Sequence, residues 1–143
     1  MARLSASLPI ALLLAAGAPI VSAQTPSLAP FHGSLPELKG KAFTEGSFSI
    51  SISDYSAGFG NAIFSFRVTN TGDSCLPFEW GDLAILGADG YQPTPRFLFQ
   101  YNNTETRTVI LPGAHTEWDS QFTQVKYPAK LYYKGRLLAE FTK

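Results

Sequence analysis

Ser47–Asn70, SFSISISDYSAGFGNAIFSFRVTN, decides the fold of this chain. Its first half sets Phe48, Ile50 and Ile52 against Ser49, Ser51 and Ser53, a two-residue period that gives a strand one apolar face. Its second half repeats the pattern, with Phe64, Phe66 and Val68 on one side and Ser65, Arg67 and Thr69 on the other. The Gly-rich SAGFGN between them reads as a turn, so the two runs form an antiparallel hairpin. Asn-Thr-Gly-Asp, residues 70–73, ends the second strand. There Asn70 is expected to bond the backbone two residues on, and Gly72 to adopt a positive φ.

Working outward, the same signal recurs downstream. LAIL at 83–86 is a short apolar strand closed by the Asp-Gly of GADG. FLFQY and TRTVIL read as further strands separated by polar NNTE, which contains the sequon Asn102-Asn103-Thr104. Leu-Pro-Gly at 111–113 is a turn with Pro at its first central position and Gly at its second. In TEWDSQF, Thr116, Trp118, Ser120 and Phe122 share one face. KLYYKGRLLAEF reads as a hairpin about Lys134-Gly135. Short strands with a turn every 8–12 residues and no helical period predict an all-β fold. The expected form is an immunoglobulin-like antiparallel β-sandwich of about 7–8 strands. A closed barrel is the alternative.

The N-terminus reads as an export signal. Arg3 precedes an uncharged Ala/Leu-rich stretch, and small residues lead up to Ala23, where cleavage is expected. Pro9, Gly17 and Pro19 interrupt the run that a membrane span of ~20 apolar residues would need. Residues 24–42 carry three prolines (Pro26, Pro30, Pro36) and no apolar period. They read as a flexible leader, so the folded domain is expected over 43–143. Removing 1–23 leaves ten basic against eleven acidic residues with no basic run, which argues against nucleic acid and anionic membrane as partners.

Cys75 is the sole cysteine, so it has no disulfide partner within the chain. It reads first as a small apolar residue tucked under a loop. A bridge to another chain and a thiolate nucleophile are the alternatives, the last disfavoured by Asp73 and Glu79 nearby. His115, Glu117 and Asp119 alternate on one strand and share a face. An imidazole with two carboxylates is a metal-binding or hydrolytic set, but opposite Trp118 and Phe122 the plainer reading is a solvated outer face. No nucleophile elbow, Cys-x-x-Cys, His-Glu-x-x-His or phosphate loop occurs, so neither catalytic residues nor a cofactor are assigned. The aromatic stretch YQPTPRFLFQY is the candidate partner surface: Tyr91, Arg96, Phe97, Phe99 and Tyr101. Pro93 and Pro95 disfavour an interior strand. The stretch reads first as ordinary core; as an edge strand with its aromatics facing out, it offers the Tyr, Phe and Arg that suit interfaces.

VTNTGD (68–73), LAILGADGYQPTP (83–95) and VILPGAHTEWDSQF (109–122) together resemble the DUF4352-type exported immunoglobulin-like domain, over Phe48 to Phe141. In that family one strand ends in Asn-Thr-Gly, a later strand carries an apolar residue before Asp-Gly-Tyr, and Leu-Pro-Gly precedes a penultimate strand. A fainter similarity, through the Asn-Thr and Leu-Pro-Gly turns, is to BsuPI-type proteinase inhibitors. The first resemblance implies an exported bacterial protein, periplasmic or extracellular. It would be a non-enzymatic binding module whose partner is another exported protein or surface component. The second implies a secreted protease inhibitor acting through an exposed loop such as Tyr91–Arg96. The chain lacks the lipid-anchored cysteine of many DUF4352-type proteins, and neither resemblance supplies a catalytic residue.

Overall fold

The computed structural model describes residues 29–97 and 106–143. The expected signal segment, Phe99, Tyr101 and the sequon lie outside the described residues. The strands are β1 (Phe31–Ser34), β2 (Ala42–Glu45), β3 (Phe48–Gly58), β4 (Asn61–Asn70), β5 (Leu76–Glu79), β6 (Leu83–Leu86), β7 (Arg96–Phe97), β8 (Arg107–Ile110), β9 (His115–Thr123), β10 (Ala129–Tyr133) and β11 (Arg136–Thr142). One sheet has the order β1-β11-β10-β6, the second β2-β3-β4-β9-β7, and a two-stranded ribbon pairs β5 with β8. This is the expected immunoglobulin-like β-sandwich, with eleven strands among the described residues where about seven or eight were expected. It is antiparallel apart from β1, which joins β11 in parallel.

The opening hairpin forms as its period dictates. β3 and β4 pair from Phe48↔Asn70 to Gly58↔Asn61, with one irregularity between Ile52 and Asp54. Ile50, Ile52, Phe64, Phe66 and Val68 are all buried. On β9, Ser120 and Phe122 are buried while His115 and Glu117 are exposed, so the expected division of faces holds. Between the sheets the core is aromatic. Trp80 stacks on Trp118 with ring centroids 5.1 Å apart. Phe78 stacks on Tyr133 at 5.6 Å and meets Trp80 edge-on at 5.0 Å. Phe141 meets Phe64 edge-on at 6.0 Å. Such contacts add about 0.5–1.5 kcal/mol each beyond the apolar area they bury. The Trp80 indole N–H donates to Thr108 Oγ1 at 3.0 Å, which pins the β5–β8 ribbon to the core.

The leader assignment is corrected over its described part. Phe31–Ser34 is a sheet strand, and Leu35–Leu38 forms one helical turn, α1, whose Leu35 and Leu38 are buried. The Glu37 carboxylate accepts the Ser34 backbone N–H at 2.8 Å and its hydroxyl at 3.1 Å, and these bonds hold its pKa below the usual value. Proline and glycine here punctuate short elements rather than loosen the chain. Pro36 falls within the first turn of α1, where a missing N–H costs nothing.

Candidate binding surface

Two ends of the sandwich carry turns, and both expose apolar side chains, Leu111 being 61 % exposed in the turn that packs on the Asn70 corner. At one end, Asn70 is fully buried and its polar groups are all engaged. Its amide Nδ2 donates to Ser74 O at 2.7 Å and to Ile110 O at 3.0 Å, while Oδ1 accepts Gly72 N–H at 2.9 Å. Its backbone N–H donates to Ala114 O, and its carbonyl accepts from Gly113. The Asn-Thr-Gly-Asp turn is therefore a structural corner. Gly72 is not in the positive-φ region, contrary to expectation. It is small because a Cβ there would sit 3.2 Å from Ser47 Cβ.

Cys75 follows this corner and is exposed, which overturns the buried reading. The chain leaves the corner so that Cys75 is in phase with exposed Pro77, whereas Phe78, one residue further along the alternation, is buried. A two-residue period allowed either phase, and the chain takes the outward one.

His115, Glu117 and Asp119 share the outer face of the second sheet but do not converge. Two residues along a strand separate side chains by about 7 Å, and each carboxylate has a partner on β4. Arg67 donates to Glu117 through Nε at 2.9 Å, with its NH2 group 2.8 Å from the same oxygen. Ser65 Oγ donates to Asp119 Oδ1 at 2.6 Å. Among the described residues no three His, Cys, Asp or Glu side chains are placed to hold a metal ion.

The opposite end presents Phe59 and Tyr91 to solvent. β3 and β4 are joined by Phe59 (φ 51°) and Gly60 (φ 79°), a two-residue turn with both φ positive. Asn-Gly is the usual solution, because a bulky residue in the left-handed region costs roughly 1–2 kcal/mol. Phe59 occupies the Asn position and is wholly exposed, at 107 % of its reference area. Backbone bonds tie this tip to two neighbouring loops. Val125 N–H donates to Gly60 O at 3.2 Å, and Ala88 N–H donates to Lys126 O at 2.9 Å. Gly87 N–H donates to Tyr91 O at 2.9 Å, and Asp89 Oδ1 accepts Tyr91 N–H at 3.1 Å. Tyr91, held in this way, is 47 % exposed.

Of the five residues expected to form the partner surface, Tyr91 and Arg96 are exposed. Arg96 lies opposite Gln121 on the edge strand β7, and Phe97 is in register with Ser120. Phe99 and Tyr101 lie outside the described residues. Phe59 was missing from the expected set. The alternation left the whole of SAGFGN as the turn, and only the pairing that continues to Gly58↔Asn61 narrows it to Phe59-Gly60.

No family model matches the chain, and no curated protein matches it. Two solved structures share its fold. The yjhA protein from Bacillus subtilis superposes with a TM-score of 0.55 at 11 % identity, covering 72 % of this chain and 80 % of its own. MPT63, a secreted protein from Mycobacterium tuberculosis, superposes with a TM-score of 0.51 at 16 % identity, covering 82 % of this chain and all of its own. At these identities the likeness establishes the β-sandwich fold alone. Among the described residues no helix is long and apolar enough to cross a membrane.

Proposed function

We propose that this chain is an exported, non-enzymatic binding module of the DUF4352-like kind, and that it meets its partner through the loop end carrying Phe59 and Tyr91, with Arg96 alongside. The partner is another exported protein or a surface component. One observation carries the reading: Phe59 is held in a backbone conformation that disfavours it, at full exposure. Its ring gains nothing within the fold, so its contribution lies in contact with something else. Burying such a ring removes roughly 150–250 Å² from water, enough to anchor an interface. Loops clustered at one end of an immunoglobulin-like sandwich are a common place for such contacts, and export agrees with a secreted structural neighbour.

Immobilised wild-type chain and a Phe59→Asn/Tyr91→Ser variant, each exposed to the exported fraction of the source cells, test this proposal. A partner retained by the wild type and lost by the folded variant is expected. Equal retention by both refutes the surface assignment.

The protease-inhibitor reading keeps one specific support. Residues 91–95 form no regular element, and Tyr91, Gln92 and Thr94 are exposed. Stoichiometric inhibition of a serine protease, abolished by substitutions in 91–96, would replace the first reading with this one.

A further inference from the structure

The outer face of the β6–β10 pair holds a cleft of about 420 Å³, within the size range of small-molecule sites. Its floor follows from register. β6 and β10 pair with Tyr132 opposite Ala84 and Leu131 opposite Ile85. Leu83, Ile85, Leu131 and Tyr133 point into the core, so Ala84, Leu86 and Tyr132 point away from it. All three are partly buried. Gln92, from the β6–β7 loop, lines the same cleft.

The charged end is fixed by the backbone. Lys134 N–H donates to Asp82 O at 3.0 Å, which sets the two residues side by side. Their side chains stand with Nζ and Oδ2 4.0 Å apart, the widest separation of the four ion pairs among the described residues. A cation and an anion so spaced, beside an apolar floor with an aromatic ring, complement a ligand that carries both charges on one carbon and a flat apolar group.

We infer that this cleft binds a free aromatic α-amino acid. The ligand ammonium faces Asp82, its carboxylate faces Lys134, and its ring lies along Tyr132 over Ala84 and Leu86. Gln92 is the polar wall beside the ring. The cleft uses none of Phe59, Tyr91 or Arg96, and the inference does not rest on the assignment of that surface.

Isothermal titration of the exported chain with L-phenylalanine and L-tryptophan tests the inference. Single-site saturable binding is expected. 2-Phenylethylamine, which lacks the carboxylate, and 3-phenylpropionate, which lacks the ammonium, should each bind about tenfold more weakly, the effect of losing one charged hydrogen bond. Ala84→Trp fills the cleft and should abolish binding in a chain whose circular dichroism is unchanged. Asp82→Asn should weaken L-phenylalanine and leave 3-phenylpropionate no weaker, since it removes a negative charge beside the carboxylate site at Lys134. Failure of both amino acids to saturate at millimolar concentration overturns the inference. So does equal binding of either single-charge analogue, or binding that survives Ala84→Trp.

Discussion

Replacing Phe59 by Asn should make the protein more stable and less able to bind. The wild-type residue sits at φ 51° with Gly60 at φ 79°. For Phe that left-handed position costs roughly 1–2 kcal/mol, whereas Asn visits it readily. Removing an exposed apolar side chain usually exacts a loss of burial, but Phe59 is wholly exposed and has no burial to lose. The net change is a gain of about 1 kcal/mol, which raises the melting temperature by roughly 3–6 °C for a domain of this size. Urea and thermal denaturation followed by circular dichroism measure it. Capture of the partner should fall in the same variant, by about thirtyfold or more if Phe59 behaves as an interface anchor worth ~2 kcal/mol. A loss of stability above ~0.5 kcal/mol would show that the ring packs against the fold, and the argument from strain would fail.

Other residues give expectations of different kinds. Trp80→Ala should cost ~3–5 kcal/mol, since it empties the centre of the aromatic stack. Asn70→Ala should cost at least ~2 kcal/mol, because it strips the Ser74 and Ile110 carbonyls of their donor. Cys75 should react with a thiol reagent as fast in the native protein as in denaturant, and Cys75→Ser should change stability by less than ~0.5 kcal/mol. Burial raises the pKa of Tyr127 and, with Asp82 and Glu45 adding to it, that of Tyr133, both above the ordinary value of 10.0. The folded state then holds their protons more tightly than the unfolded state. Stability should be flat below pH 10 on their account and fall as pH rises from there through the folded values. Tyrosinate absorbance and melting temperature measured together across that range check the sign.

The strands with one buried and one wet face were legible, because alternation is the imprint of that environment. β3, β4 and β9 are the cases, and Phe64, Phe66, Val68 and Phe122 were placed correctly from period alone. Elements shorter than two periods left no such imprint. β1 and α1 bury little beyond Leu35 and Leu38, and their signal was the capping pair Ser34 and Glu37 rather than any run of apolar residues. β5 was hidden by Pro77, which faces outward on a two-stranded ribbon where the missing N–H is tolerated. Cys75 turned on the phase of a strand, which composition does not carry. Tyr91 and Arg96 were singled out because aromatic and guanidinium groups cluster beside prolines, and both are exposed. Phe59 was overlooked because a glycine on either side, Gly58 and Gly60, made its segment look like a turn and nothing more.

The central claim, that the Phe59–Tyr91 end is the face that meets a partner, is tested most directly by a photo-crosslinking scan in the exported compartment. A benzophenone amino acid is placed singly at 59, at 91, at Asp73 beside the Asn70 corner, and at Lys130 on the outer face of β10. The account predicts one shared adduct from positions 59 and 91 and none from 73 or 130. An adduct formed from 73 or 130 and absent from 59 and 91 would contradict it.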